Sequence, residues 1–193
     1  VAIGAITAIA RLNLGVEVIA LVPATENMPS GTATKPGDIV KAMNGKTIEI
    51  LNTDAEGRLI LADALCYAVK EKVTKIIDIA TLTGSCVIAL GEITTGVFGN
   101  NQEFIDHFLN IANKTGEKAW QMPLFKQYRD QLKSEVADIA NIGGKPAGAI
   151  TAAAFLENFV DKTPWIHLDI AGTSWTTKDG YYSKGGTGSI MST

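Results

Sequence analysis

Short β-branched runs that alternate with longer apolar stretches constrain this chain more than any other feature. VEVIALV (16–22), KIIDIA (75–80) and WIHLDIA (165–171) each have the length and Val/Ile content of a strand. Between them lie stretches with helical spacing: Phe104, Ile105, Phe108, Leu109, Ile111 and Ala112 share one face over residues 102–113. VAIGAITAIARL near the start and TAAAFLENFV (151–160) read as buried helices, and LILADALCYAV places a third helix over about residues 59–71. Strand–helix alternation implies an α/β domain with a mostly parallel central sheet flanked by helices. A length of 193 residues favours one sizeable domain with a real core.

The connections carry their own signals. Residues 24–38, ATENMPSGTATKPGD, form a polar loop long enough to suggest a role beyond connection. IVKAM and KTIEIL flank Asn44-Gly45, a type I′ hairpin signal. TTGVFG reads as a strand after a short turn or helix, VIALG. Trp120 and Pro123 fall in a loop, 124–132 in a short amphipathic helix, and ADIANIGGKPAGAI in an irregular Gly-rich segment. The tail from Gly172 onward shows no clear element.

Net charge is −3 with no basic block, which argues against a nucleic-acid partner. No apolar run reaches the roughly 18 residues of a membrane span. The two cysteines, Cys66 and Cys86, lie in apolar context and read as free buried thiols, in keeping with a reducing compartment. Only His107 and His167 are present, so a His-rich zinc site within this chain is excluded. A metal here would rest on oxygen ligands, with a lysine as a further candidate. The chain opens on Val1 in the middle of a helical pattern, and the expectation is a piece of a longer protein.

NTDAEGRL (52–59) admits two readings. In one, Thr53 caps a helix and Glu56 reaches back to complete a capping box. Gly57 and Arg58 fit it poorly: glycine weakens a first turn by up to about 1 kcal/mol, and a cation there opposes the helix dipole by roughly 0.3–1 kcal/mol. In the other, the segment is extended, so Asp54, Glu56 and Arg58 project from one face. Two converging carboxylates can then bridge a metal pair while Arg58 holds an anion beside it.

At these residues the sequence resembles the leucyl (cytosol) aminopeptidase family of two-metal exopeptidases. The resemblance extends beyond NTDAEGRL to TENMPSGTATKPGDIV (25–40), DIATLTGS (78–85), GGKPAGAITAAAFL and HLDIAGT, in the family's order and spacing. It implies a phosphorylase/hydrolase-like, zinc-peptidase type of α/β fold. It makes residues 1–193 the C-terminal portion of the catalytic domain, with the N-terminal domain absent. By the same resemblance Asp54 and Glu56 match metal ligands, Glu56 bridging both ions. Arg58 matches the arginine that holds a bicarbonate acting as general base. Thr81, Leu82, Gly84 and Ala171 match substrate contacts. The implied activity is release of N-terminal, preferably apolar, amino acids from peptides by a cytoplasmic hexamer, using two divalent ions (zinc, manganese or magnesium).

There are departures. The family's other ligands, a lysine and two aspartates, and its electrophilic lysine belong to motifs that would precede Val1. Ser174 is small and polar where the family pocket often carries a large apolar residue. The expectation is therefore a catalytically incomplete chain. The alternative is a truncated or degenerate module that folds and associates without chemistry.

Other residues carry plainer readings. Asp38 is a turn former and Asp63 a buried, hydrogen-bonded acid. Asp78 and Asp169, near strand C-termini, are candidates for direct function with a structural reading favoured. His167 reads as a satisfied core histidine, His107 as solvated, and Trp165 and Trp175 as packing residues. Gly143, Gly144 and Gly148 suggest a substrate-lining or interface loop in preference to a phosphate cradle.

Overall fold

The computed structural model describes residues 1–180, 182–190 and 193; tail positions 181, 191 and 192 lie outside the described residues. In chain order the elements are α1 (Ala2–Arg11), β1 (Ile39–Lys41), β2 (Thr47–Glu49), α2 (Glu56–Lys70), β3 (Ile76–Ala80), α3 (Gly84–Leu90), β4 (Thr95–Gly99), α4 (Gln102–Thr115), β5 (Ala119–Gln121), α5 (Lys126–Arg129), β6 (Ile139–Ala140), α6 (Gly148–Glu157), β7 (Trp165–Asp169), β8 (Trp175–Thr176) and β9 (Gly185–Gly186).

The α/β class stands. The central sheet has the order β3-β7-β4-β5. β3 pairs with β7 in parallel, β4 with β7 antiparallel, and β4 with β5 in parallel. The sheet is therefore mixed, because β4 runs against its neighbour. A second sheet, β1-β2-β6, joins the hairpin to the segment before α6.

All five residues of β7 are buried, as a strand covered on both faces requires. Its alternate side chains serve two cores. Trp165 packs with Phe98, Phe155, Leu65 and Ala153 beneath α2 and α6, while Ile166 and Leu168 join Val97, Ile105 and Phe108 beneath α4. Residues Ala149 to Leu156 of α6 are buried on every side, the pattern of an interior helix. Asn101 caps α4 by accepting from the Phe104 N–H, and Gly116 in the left-handed region ends it.

Several expectations change. α1 forms, but none of its residues is buried. Residues 16–22 form no strand: among the described residues their backbone joins no ladder, and an apolar run without a pairing partner does not become a strand. The hairpin turn is not type I′. Only Gly45 has positive φ, and the Gly45 N–H donates to the Ala42 carbonyl, so Met43 and Asn44 are its central residues. Trp120 lies in β5, exposed on its edge. Asp63 is exposed yet bonded, accepting from the Met43 N–H at 2.8 Å and tying the turn to α2. Trp175 is exposed, and the tail contains the short β8–β9 pair. Cys66 and Cys86 are free and buried, and Asp38 closes its turn on the Lys35 N–H at 2.8 Å.

Candidate functional site

The NTDAEGRL segment follows neither sequence reading in full. Residues Thr53–Ala55 form a single 3-10 turn, and α2 begins at Glu56. The cap is Asn52, whose side chain accepts from the Asp54 N–H at 2.9 Å; Thr53 makes no capping box. The segment is not extended, so the face that alternation would have shared among Asp54, Glu56 and Arg58 does not form. Asp54 belongs to the 3-10 turn and Glu56 opens α2, with Ala55 between them at non-helical backbone angles. Asp54 is exposed and Glu56 half-buried.

Arg58 is buried, an unusual place for a guanidinium. Its Nη1 donates to the Asn141 carbonyl at 2.8 Å, and its Nε has no partner. Burial brings its pKa down to about 10, opposed by the carboxylates of Asp169 and Glu56. It stays charged at neutral pH, with an unsatisfied donor available for an anion.

Asn141 itself is fully buried and was not singled out in the sequence. It follows β6, and its Oδ1 accepts from the N–H of Leu51 at 2.8 Å and of Asn52 at 3.3 Å. Its Nδ2 donates to the Asn52 carbonyl at 2.7 Å. One amide thus fixes the chain just before Asp54. Its only sequence signal is a lone polar residue in an otherwise small and apolar stretch.

The loop after β3 approaches the same place. Gly57 lies against Leu82: a Cβ built on Gly57 would stand 3.6 Å from Leu82 Cδ1. Thr83 caps α3 by accepting from the Cys86 N–H at 3.0 Å. Thr81 and Gly84 are exposed, Leu82 and Ala171 half-buried. Gly148, at the start of α6, abuts Ser85 so closely that a Cβ there would overlap its hydroxyl. This accounts for one glycine of the Gly-rich segment as a close approach, without any phosphate cradle. The structure therefore gathers the start of α2, residues 81–84 and the end of β7 at the C-terminal ends of parallel strands, where ligands of α/β folds collect.

Asp169 joins these walls. It is 1% exposed, and its Oδ1 accepts from the N–H of Leu82 at 3.2 Å, of Thr83 at 3.5 Å and of Ala171 at 3.1 Å. The Thr83 hydroxyl donates to its Oδ2 at 2.7 Å.

Asp78 has a different task. It accepts from Trp165 Nε1 at 2.6 Å and lies 2.6 Å from His167 Nδ1. Burial disfavours a charged imidazole at His167, but Asp78, with help from Asp169, outweighs it and raises the pKa above 6.5. His167 Nε2 has no partner, so the expected satisfied histidine is only half satisfied. His107 is exposed on α4, as expected.

Among the described residues no group of three or more His, Cys, Asp or Glu side chains forms a metal site. Asp54 and Glu56 alone do not supply the about four to six ligands that each ion of a pair would need. The donors in this chain therefore do not fit a metal pair by themselves. A cleft of about 820 Å³ lined by Cys66, Lys70, Arg129 and Glu157 includes none of the candidate site residues. Among the described residues no helix is long and apolar enough to cross a membrane.

Residues 1–193 match the cytosol aminopeptidase family, catalytic domain. The chain is similar to a probable cytosol aminopeptidase of Alkaliphilus oremlandii, 55% identical over 188 residues, covering 96% of this chain and 38% of that protein. It is similar to another of Burkholderia orbicola, 56% identical over 186 residues, covering 96% and 36%. In structure it resembles a tomato leucine aminopeptidase mutant, with a TM-score of 0.83 and 49% identity, covering 88% of this chain and 33% of that one. The chain thus spans about a third of the length of these relatives.

Proposed function

The chain belongs to the cytosol aminopeptidase family, and from that membership we propose that it supplies part of the active centre of a metallo-exopeptidase. Within a longer polypeptide of its relatives' size, the activity is release of N-terminal, preferably apolar, residues from peptides. The observation that carries this reading is Arg58: a buried cation with an unpartnered Nε, one residue from the Gly57–Leu82 contact.

Each residue has a role in this reading. Asp54 and Glu56 contribute carboxylates to a divalent metal pair (zinc, manganese or magnesium), and the remaining donors come from outside the chain. Arg58 holds a bicarbonate beside them. Thr81, Leu82 and Gly84 line the peptide, and Ala171 borders the pocket for its N-terminal side chain. The longer protein is cytoplasmic and self-associates as a hexamer. The catalytic step itself depends on donors this chain does not carry.

The test is hydrolysis of leucine p-nitroanilide with added manganese. The longer protein turns it over, and Arg58→Met in that protein lowers turnover. A longer protein with no activity on this substrate or on leucyl dipeptides would overturn the reading.

A further inference from the structure

Asp169 is buried at the end of β7, far in sequence from the loop it holds. It takes hydrogen bonds from Leu82 N–H, Thr83 N–H, the Thr83 hydroxyl and, two residues on, Ala171 N–H. A buried carboxylate needs compensation by donors. Here every donor comes from residues 82–83 and 171, in the two segments that the proposed function reads as peptide contacts. The contact extends into α3, because the same Thr83 oxygen that donates to Asp169 accepts from the Cys86 N–H. Next to it, the Ile170 N–H donates to the Ala80 carbonyl at 2.9 Å, so the base of both segments is one rigid unit.

We propose that Asp169 is the positioning residue for peptide binding: its carboxylate locks the 82–83 backbone to Ala171, so the two walls of the peptide site hold a fixed separation. This rests on the reading of residues 81–84 and 171 as peptide contacts. Asp169 touches no reacting atom. Its effect falls on binding, in ground and transition state alike, which appears in KM.

Thr83→Val removes the hydroxyl donor, and with it the α3 cap on the Cys86 N–H, but leaves the Asp169 charge facing Arg58 unchanged; Asp169→Ala removes the carboxylate and leaves that cap in place. In the longer protein, with leucine p-nitroanilide and manganese, Thr83→Val raises KM by about 5- to 20-fold and leaves kcat within about threefold, the signature of lost uniform binding. Inhibition by the product L-leucine weakens by a similar factor, and Thr83→Ser, which keeps the hydroxyl, restores both. Asp169→Ala also speeds hydrogen exchange at the Leu82 and Ala171 amides, a readout that needs no turnover. A fall in kcat as large as the rise in KM, an unchanged KM, failure of Thr83→Ser to restore KM, or unchanged exchange in Asp169→Ala would each overturn the proposal. An inactive wild type would instead remove the functional reading, and this proposal with it.

Discussion

Arg58 donates from Nη1 to the Asn141 carbonyl, 2.8 Å away, while the Asn141 side chain holds the backbone of Leu51 and Asn52. This pairing ties the end of β6 to the start of α2. The segment carrying Asp54 and Glu56 is thus anchored by a residue some 90 positions later in the chain.

Asn141→Ala would leave the N–H groups of Leu51 and Asn52 without their partner, and the Asn52 carbonyl with the Ala55 N–H alone. Buried polar groups left unpaired cost about 1–3 kcal/mol. Urea unfolding should show a loss of that size with an unchanged m-value. A change below about 0.5 kcal/mol, the range of ordinary surface substitutions, would contradict the clamp.

Arg58 predicts an anion dependence. Turnover by the longer protein should rise with added bicarbonate, and Arg58→Met should abolish that rise while lowering kcat by about 100-fold, the scale for removing a donor to a developing charge. Arg58→Lys should recover little, because a lysine lacks the fork that reaches both Asn141 and an anion. An Arg58→Met enzyme that still responds to bicarbonate would place the anion elsewhere.

The Asp78–His167 pair predicts a pH dependence of stability. The folded pKa of His167 is raised above the unfolded value of 6.5. The folded state therefore binds the proton more tightly, and the pair's contribution is fully present below about pH 6.5 and is lost as pH rises through the folded pKa. Asp78→Asn should be most destabilised relative to wild type near pH 6, with the gap narrowing toward alkaline pH. A gap that widens with pH would reverse the sign and contradict the pairing.

The β7 turn predicts a steric limit. A Cβ on Gly172 would overlap the Gly91 carbonyl, which is backbone and cannot rotate away. Gly172→Ala should cost about 1–3 kcal/mol, as overpacking does. Gly180→Ala, where no atom of the described residues lies within 4 Å, is the matched control by thermal unfolding.

How much of this was legible in the sequence depended on range. KIIDIA and WIHLDIA became β3 and β7 because their own apolar content demands a buried strand, and the spacing of Phe104, Ile105 and Phe108 specified α4. VEVIALV has the same composition but lacks a pairing partner among the described residues, and composition cannot report that. NTDAEGRL marked Asp54, Glu56 and Arg58 as candidates but not their local form, since Asn52 won the capping role expected of Thr53. Asn141 and Asp169 act through partners roughly 90 residues away. No local pattern marks such partners, and only the folded arrangement of β6 and β7 brings them to the site.

We propose that Asp54, Glu56 and Arg58 are one part of an active centre whose other donors lie outside these residues. Leucine p-nitroanilide hydrolysis with manganese tests it most directly when run on the longer protein, its Glu56→Gln variant and the 193-residue chain alone. Expected are turnover by the longer protein, loss of at least about 100-fold in Glu56→Gln, and none by the chain alone. Robust turnover by the chain alone, or by Glu56→Gln in the longer protein, would contradict it.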